Sequence, residues 1–167
     1  MSAATHRPAA RGPWARGLGI SLVAADPAAV LADPALRGAL ADGIEHGHEG
    51  PLHEFPDRAD WYLVREGGED VGVAVVQRDY PAPGEAALFA VAIAPGQRGR
   101  AIGTKAMLVM ERRLRRDGIR RVVARVPRTN GRGLYFMLRA GYTPLPPEST
   151  PVGETGDVTW FARGGRS

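Results

Sequence analysis

Between Leu88 and Val126 the chain changes from strand to helix and back, within a length that leaves few topologies open. Ala87 to Ala94 is a continuous apolar run, the pattern of a buried strand, and Pro95-Gly96 ends it. From Ile102 to Asp117 the period becomes helical. Ala106, Met110 and Leu114 recur at four-residue steps, with Gly103 and Met107 alongside. Gly118 stops that helix, and the Val-rich segment Ile119 to Val126 reads as a second buried strand. A strand, a helix and a strand of these lengths favour a right-handed crossover between parallel neighbours.

The flanking segments supply further strands and one helical region. Gly19 to Ala24 fits a first strand, and Pro27 to Leu40 a helix interrupted or restarted near Pro34. Trp61 to Val64 and Val71 to Gln77 form a hairpin candidate across the Gly67-Gly68 connection, and Asp79 to Glu85 is a turn. Asn130 is a good N-cap and Gly141 a good stop for a short helix between them. Tyr142 to Leu145 and Val158 to Ala162 pair as final strands across a Pro-rich loop. Gly43 to Phe55 is loop-like and rich in His. At 167 residues the chain is long enough for one domain with a substantial core. The expected division is a flexible basic leader over residues 1–17 and an α/β domain over residues 18–163.

Composition narrows the function classes. Apolar residues make up 44% of the chain and charged residues 24%, the balance of a globular domain. No run approaches the roughly 18 apolar residues of a membrane span. The first residues lack the compact apolar centre of a signal peptide, so a cytoplasmic location is expected. Cysteine is absent, which removes disulfides, thiolate nucleophiles and zinc-thiolate sites. The net charge is +4, and nearly all of the basicity is Arg. Its densest run, Arg112, Arg113, Arg115 and Arg116, lies in the last turns of the predicted helix, where cations complement the helix dipole. No nucleic-acid motif accompanies the charge, so nucleic acid is not the expected partner.

The turn between the first strand and the helix carries chemistry. Arg98-Gly-Arg-Ala-Ile-Gly-Thr104 is basic, contains two glycines and opens a helix. The first N–H groups of a helix have no acceptor within it, and its dipole favours an anion there. Two known phosphate loops do not fit. Gly99 and Gly103 have three residues between them, one short of the P-loop, and Thr104-Lys105 reverses its Lys-Thr order. Gly96, Gly99 and Gly103 do not follow the dinucleotide G-x-G-x-x-G spacing either.

The segment instead resembles motif A of the GNAT acyltransferase superfamily. In that motif a strand ending in Val-x-Pro is followed by Arg/Gln-x-x-Gly-x-Gly/Ala. Here it reads Ile93-Ala94-Pro95, then Arg98 to Gly103, with Ala101 where the family usually has Gly. Asn130 to Tyr142 resembles motif B, in which an Asn opens a short helix ending in Gly-Phe or Gly-Tyr. Both motifs occur in family order. The resemblance implies a mixed central sheet flanked by helices, splayed beside the strand that ends at Pro95. It implies acetyl-CoA or another acyl-CoA as co-substrate. The pantetheine arm is expected against the backbone of Val91, Ala92 and Ile93. The pyrophosphate is expected at Arg98, Gly99, Arg100, Ala101, Ile102, Gly103 and Thr104, with Asn130 beside the pantetheine or stabilising the adjacent turn.

Catalytic groups are harder to assign. Many relatives carry a Tyr acid four residues before the motif B Gly, where this chain has Met137. Tyr135 is offset from that place by about 200° on a helix. Some relatives place an acid on the preceding strand, where this chain has Arg125. The remaining candidates are Tyr135 and Glu85, the latter at the start of the strand leading to Pro95. His53 and Glu54, in the His-rich segment, are candidates for the acceptor pocket. The His and Glu spacing there matches no strong metal motif, and no metal is expected.

These features imply an N-acyltransferase, acetyl by preference, acting on a primary amine of a small molecule; a homodimer is compatible with it. The alternatives are a protein N-terminal or lysine acetyltransferase, and a CoA-binding accessory protein with little catalysis.

Overall fold

A computed structural model describes residues 12–45, 55–151 and 157–163. They form a mixed eight-stranded sheet with four α-helices. In chain order the elements are β1 (Ala15–Gly17), β2 (Ile20–Ala24), α1 (Pro27–Ala32), α2 (Pro34–Glu45), β3 (Asp60–Glu66) and β4 (Glu69–Arg78). Then come β5 (Glu85–Ile93), α3 (Ile102–Arg116), β6 (Arg121–Pro127), α4 (Gly131–Arg139), β7 (Thr143–Pro144) and β8 (Val158–Arg163).

The strand order is β1-β2-β3-β4-β5-β6-β8-β7, and β5 and β6 are the parallel pair, as their crossover through α3 requires. β4 carries six consecutive buried residues, Val71 to Val76, and runs through the middle of the sheet. β3 and β4 turn through Gly67 and Gly68, both at positive φ, the geometry of a tight hairpin whose twist matches its strands.

Each face of the sheet has its own core. On one, α3 sends down Ile102, Ala106, Met110 and Leu114 against Leu88, Val122 and Ala124, and α4 adds Met137. On the other, Val30, Leu36 and Leu40 of α1 and α2 cover Val73, Val75, Phe89 and Trp160. α3 and α4 end alike. Ile119 N–H donates to Leu114 and Gly118 N–H to Arg115; Tyr142 N–H donates to Met137 and Gly141 N–H to Leu138. Gly118 and Gly141 take the positive φ that this ending requires.

Two expectations change. α2 runs on to Glu45, so the first three residues of the segment read as loop-like, Gly43 to Glu45, are helical. Residues 15–17, assigned to the leader, form β1 at the sheet edge. Trp14 stacks on Tyr62 at 4.4 Å, and its carbonyl accepts from Arg113 of α3. The strand pairs with its neighbour β2 across the two-residue turn Leu18-Gly19, both at positive φ, but at three residues it is too short to show alternation in the sequence. Residues 1–11 lie outside the described part.

Candidate active site

The sheet opens between its two parallel strands. β5 and β6 pair only from Glu85–Arg121 to Leu88–Ala124; beyond that point no ladder joins them. The ladder on the other side of β5 is irregular at the same level. Val76 faces Leu88 and Val75 faces Ala90, so Phe89 is an extra residue with no partner on β4. A bulge of this kind bends the strand and re-aims its groups. The result is a fork at Phe89 that widens toward Ile93.

Two adjoining cavities fill the fork. The wider one holds about 280 Å³. It is bounded by Val91, Ala92 and Ile93 of β5, by the turn before α3, and by Asn130, Arg132 and Phe136 of the α4 region. Ala39 of α2 also reaches it, so it has walls on both faces of the sheet. The narrower one lies in the throat between Phe89 and Arg125, and holds about 60 Å³.

The turn leading into α3 is built to leave donors free. Pro95–Gln97 makes one tight turn, Arg98 Nε donates to the Ile93 carbonyl at 3.1 Å, and Gly99 has φ 86°. Ala101 then takes the left-handed conformation, φ 58° and ψ 23°, immediately before the helix. Lys105 N–H is the first in the helix to find its partner, the Ala101 carbonyl at 3.0 Å. The N–H groups of residues 99–104 have no acceptor among the described residues. Such a cradle, at the positive end of a fifteen-residue helix, suits a pyrophosphate in charge and donor count.

The structure brings most of the sequence-identified residues to this place. Val91, Ala92, Ile93, Arg98, Gly99, Ala101, Ile102, Gly103, Thr104 and Asn130 all line the wide cavity. Arg100 alone of residues 98–104 does not. Its side chain pairs with Glu66 at 2.5 Å and with Gln97. Asn130 is 8% exposed, and its side chain caps α4 by accepting from Gly133 N–H at 2.9 Å.

The two catalytic candidates stand apart. Glu85 is at the closed end of β5, paired with Arg121 at 3.2 Å, in a separate depression beside Tyr80 and Leu145. Tyr135 is 63% exposed with Arg139 over its ring, on the outside of α4. Met137, in the register where relatives carry a Tyr, is 5% exposed and lines the throat. His53 and Glu54 lie outside the described residues.

Several lining residues were not singled out from the sequence. Arg132 lies near the start of α4 and Phe136 packs against Gly103. An Arg after an N-cap is a readable signal for Arg132. Arg125 was noted only for not being acidic; it lines the throat with its guanidinium 4.9 Å from the Phe89 ring centroid.

The family model described as "Acetyltransferase (GNAT) family" matches residues 33–142. Among solved structures, an acetyltransferase from Thermus thermophilus superimposes with a TM-score of 0.66 at 22% identity, covering 88% of this chain and 97% of that one. A probable GNAT-family acetyltransferase from Chromobacterium violaceum gives 0.69 at 20% identity, covering 96% and 91%. The PaiA N-acetyltransferase from Thermoplasma acidophilum, in complex with coenzyme A, gives 0.52 at 16%, covering 62% and 59%. At these identities the likeness is one of fold. No curated protein sequence matches the chain significantly.

Proposed function

This chain belongs to the GNAT acetyltransferase family, and on that premise we propose that it transfers an acyl group, acetyl by preference, from acyl-CoA to the primary amine of a small molecule. The observation that carries this is the run of unpaired N–H groups over residues 99–104, at the mouth of a cavity that runs along the opened edge of β5. Arg98 and Arg132 add positive charge at that mouth. The edge of β5 beyond Leu88 offers its backbone to an amide-bearing arm in place of the missing β6. Reading the cavity from wide mouth to throat, phosphate comes first, the pantetheine next, and the thioester at Phe89.

The chemistry asked of the protein is modest. A neutral amine attacks the thioester carbonyl, the C–N bond forms, the C–S bond breaks, and the amine's proton passes to solvent. In this reading the backbone at the bulge, Phe89 and Ala90, lines the throat and supplies the N–H that stabilises the developing oxyanion. Met137 supplies no proton at the throat, so the CoA thiolate leaves without a side-chain acid from that position. The acyl-CoA requirement goes with a cytoplasmic location, where these thioesters are available.

Thiol release from acetyl-CoA, measured across a panel of amines, tests the proposal. Acceptor-dependent release together with the acetylated amine by mass is the expected result. Tight CoA binding by calorimetry with no acceptor-dependent release would favour the accessory-protein alternative instead.

A further inference from the structure

The lining of the fork changes in a fixed order from mouth to throat. Ile93 borders only the wide cavity, Val91 and Ala92 border both, and Leu88, Phe89 and Ala90 border only the throat. α4 descends beside them. Gly133 borders both cavities, and Met137, four residues on along the same helix face, borders only the throat. The floor is the last rung of the β5–β6 ladder, Leu88 opposite Ala124, both fully buried. Leu88, Ala124, Val126 and Met137 all belong to the core on the α3 and α4 face, and none of their side chains carries a charge or a hydrogen-bonding N or O. Arg125 lies on the other face, over the Phe89 ring.

We infer that this end of the throat is the acyl chamber and that Met137 sets its depth, which limits the donor to a short, uncharged acyl group, acetyl or propionyl. This rests on the acyl-CoA reading proposed above and specifies its donor. With the phosphates at the α3 cradle and the thioester at Phe89, the acyl group is the part of the donor that reaches furthest in. There it meets Met137 and the Leu88–Ala124 rung. The throat holds about 60 Å³, close to the liquid volume of two waters at roughly 30 Å³ each. The two carbons and one oxygen of an acetyl group fill it. A longer chain has to displace side chains that are already buried and packed, and overfilling such a core is destabilising. Leu88 and Ala124 cannot move aside, because each is also paired on its other flank, Leu88 with Val76 of β4 and Ala124 with Phe161 of β8. Met137 is the wall that can yield. Its unbranched side chain has three rotatable bonds, enough to adjust to one further methylene. An anionic acyl group such as succinyl would bury its carboxylate among four side chains that offer it no donor.

The test is calorimetric titration with CoA and with acetyl-, propionyl-, butyryl-, hexanoyl- and succinyl-CoA, without an amine, so that it does not depend on the identity of the acceptor. In wild type, acetyl- and propionyl-CoA are expected to bind within threefold of each other, and hexanoyl- and succinyl-CoA at least tenfold more weakly. Met137→Ala deepens the chamber and is expected to bring hexanoyl-CoA within threefold of acetyl-CoA while succinyl-CoA stays weak. Thermal melting and the affinity for free CoA establish that the variant is folded and keeps its phosphate site. Should Met137→Ala not melt cooperatively, Met137→Val removes less volume and carries the same comparison at butyryl-CoA. A hexanoyl penalty unchanged in folded Met137→Ala, or a butyryl penalty unchanged in folded Met137→Val, overturns the proposal, as does succinyl-CoA binding as tightly as acetyl-CoA. Equal affinity across the series in wild type, with CoA still bound, overturns it and leaves the acyl-CoA reading standing. Wild-type protein that binds neither CoA nor any of its thioesters overturns the acyl-CoA reading itself, and this proposal with it.

Discussion

At the scale of single residues, Ala101 departs most from ordinary backbone preference. Its φ of 58° places a Cβ-bearing residue in the left-handed region, at a cost of roughly 1–2 kcal/mol. The turn must reverse there so that successive N–H groups face the cavity rather than one another. Ala101→Gly removes the strain but adds freedom to the unfolded chain. The expected net gain is up to about 1 kcal/mol in urea unfolding, with CoA affinity unchanged. Gly103 tests the cradle from the other side. A Cβ added there stands 3.5 Å from the Phe136 ring, an ordinary contact, so Gly103→Ala should fold and bind. Gly103→Asp adds a like charge beside the pyrophosphate and should weaken CoA by about tenfold or more, near 1.4 kcal/mol, in calorimetry. Unchanged affinity in a folded Gly103→Asp protein would remove the phosphate from this place. Tyr135, pointing into solvent, should be dispensable. Tyr135→Phe is expected to keep most of kcat, whereas a hundredfold fall, about 2.7 kcal/mol in barrier, would make it the acid after all.

At the scale of elements, the two helices that frame the cavity are tied together behind it. Glu111 of α3 is 3% exposed and accepts from the Tyr142 hydroxyl, just past α4, at 2.8 Å. Its other oxygen has Arg115 and Arg163 at 3.6 Å, and Arg163 also donates to the Ala140 carbonyl at the end of α4. Tyr142→Phe leaves a buried carboxylate short of its hydrogen bond, and should cost about 1–3 kcal/mol in denaturant unfolding. Burial and the facing Glu111 carboxylate push the Tyr142 phenol above its ordinary value. Its proton is thus held more tightly in the folded protein than in the unfolded chain. The stabilisation is present at neutral pH and is lost as pH rises past about 10, where the unfolded phenol ionises. Tyr142→Phe is expected to be less stable at pH 7 and to lose less on going to alkaline pH, by thermal melting at a series of pH values. The helices themselves were legible from their chemistry. Asn130, Gly118 and Gly141 sit where caps and stops belong, because capping is satisfied by neighbours a few residues away.

At the scale of the molecule, an acyl-CoA binder should be stabilised by its ligand through mass action. At a hundredfold excess of CoA over its dissociation constant the gain is about 2.7 kcal/mol, several degrees in melting temperature. Gly103→Asp should lose that gain and Tyr135→Phe should keep it. By itself, the sequence determined the succession of elements, the crossover from β5 to β6, and the basic turn that opens α3. Each is written in periodicity, in caps, or in the conformations open to glycine and proline, all of which act over a few residues. The tertiary structure alone decided where that succession opens. The fork exists because β5 gains one residue against β4 at Phe89 and loses β6 after Leu88, and both are pairings between distant parts of the chain. The same pairings carry Glu85 to the closed end beside Arg121 and turn Arg125 into the throat. Alternation within a strand says which residues share a face; only the neighbours across the ladder say what that face meets.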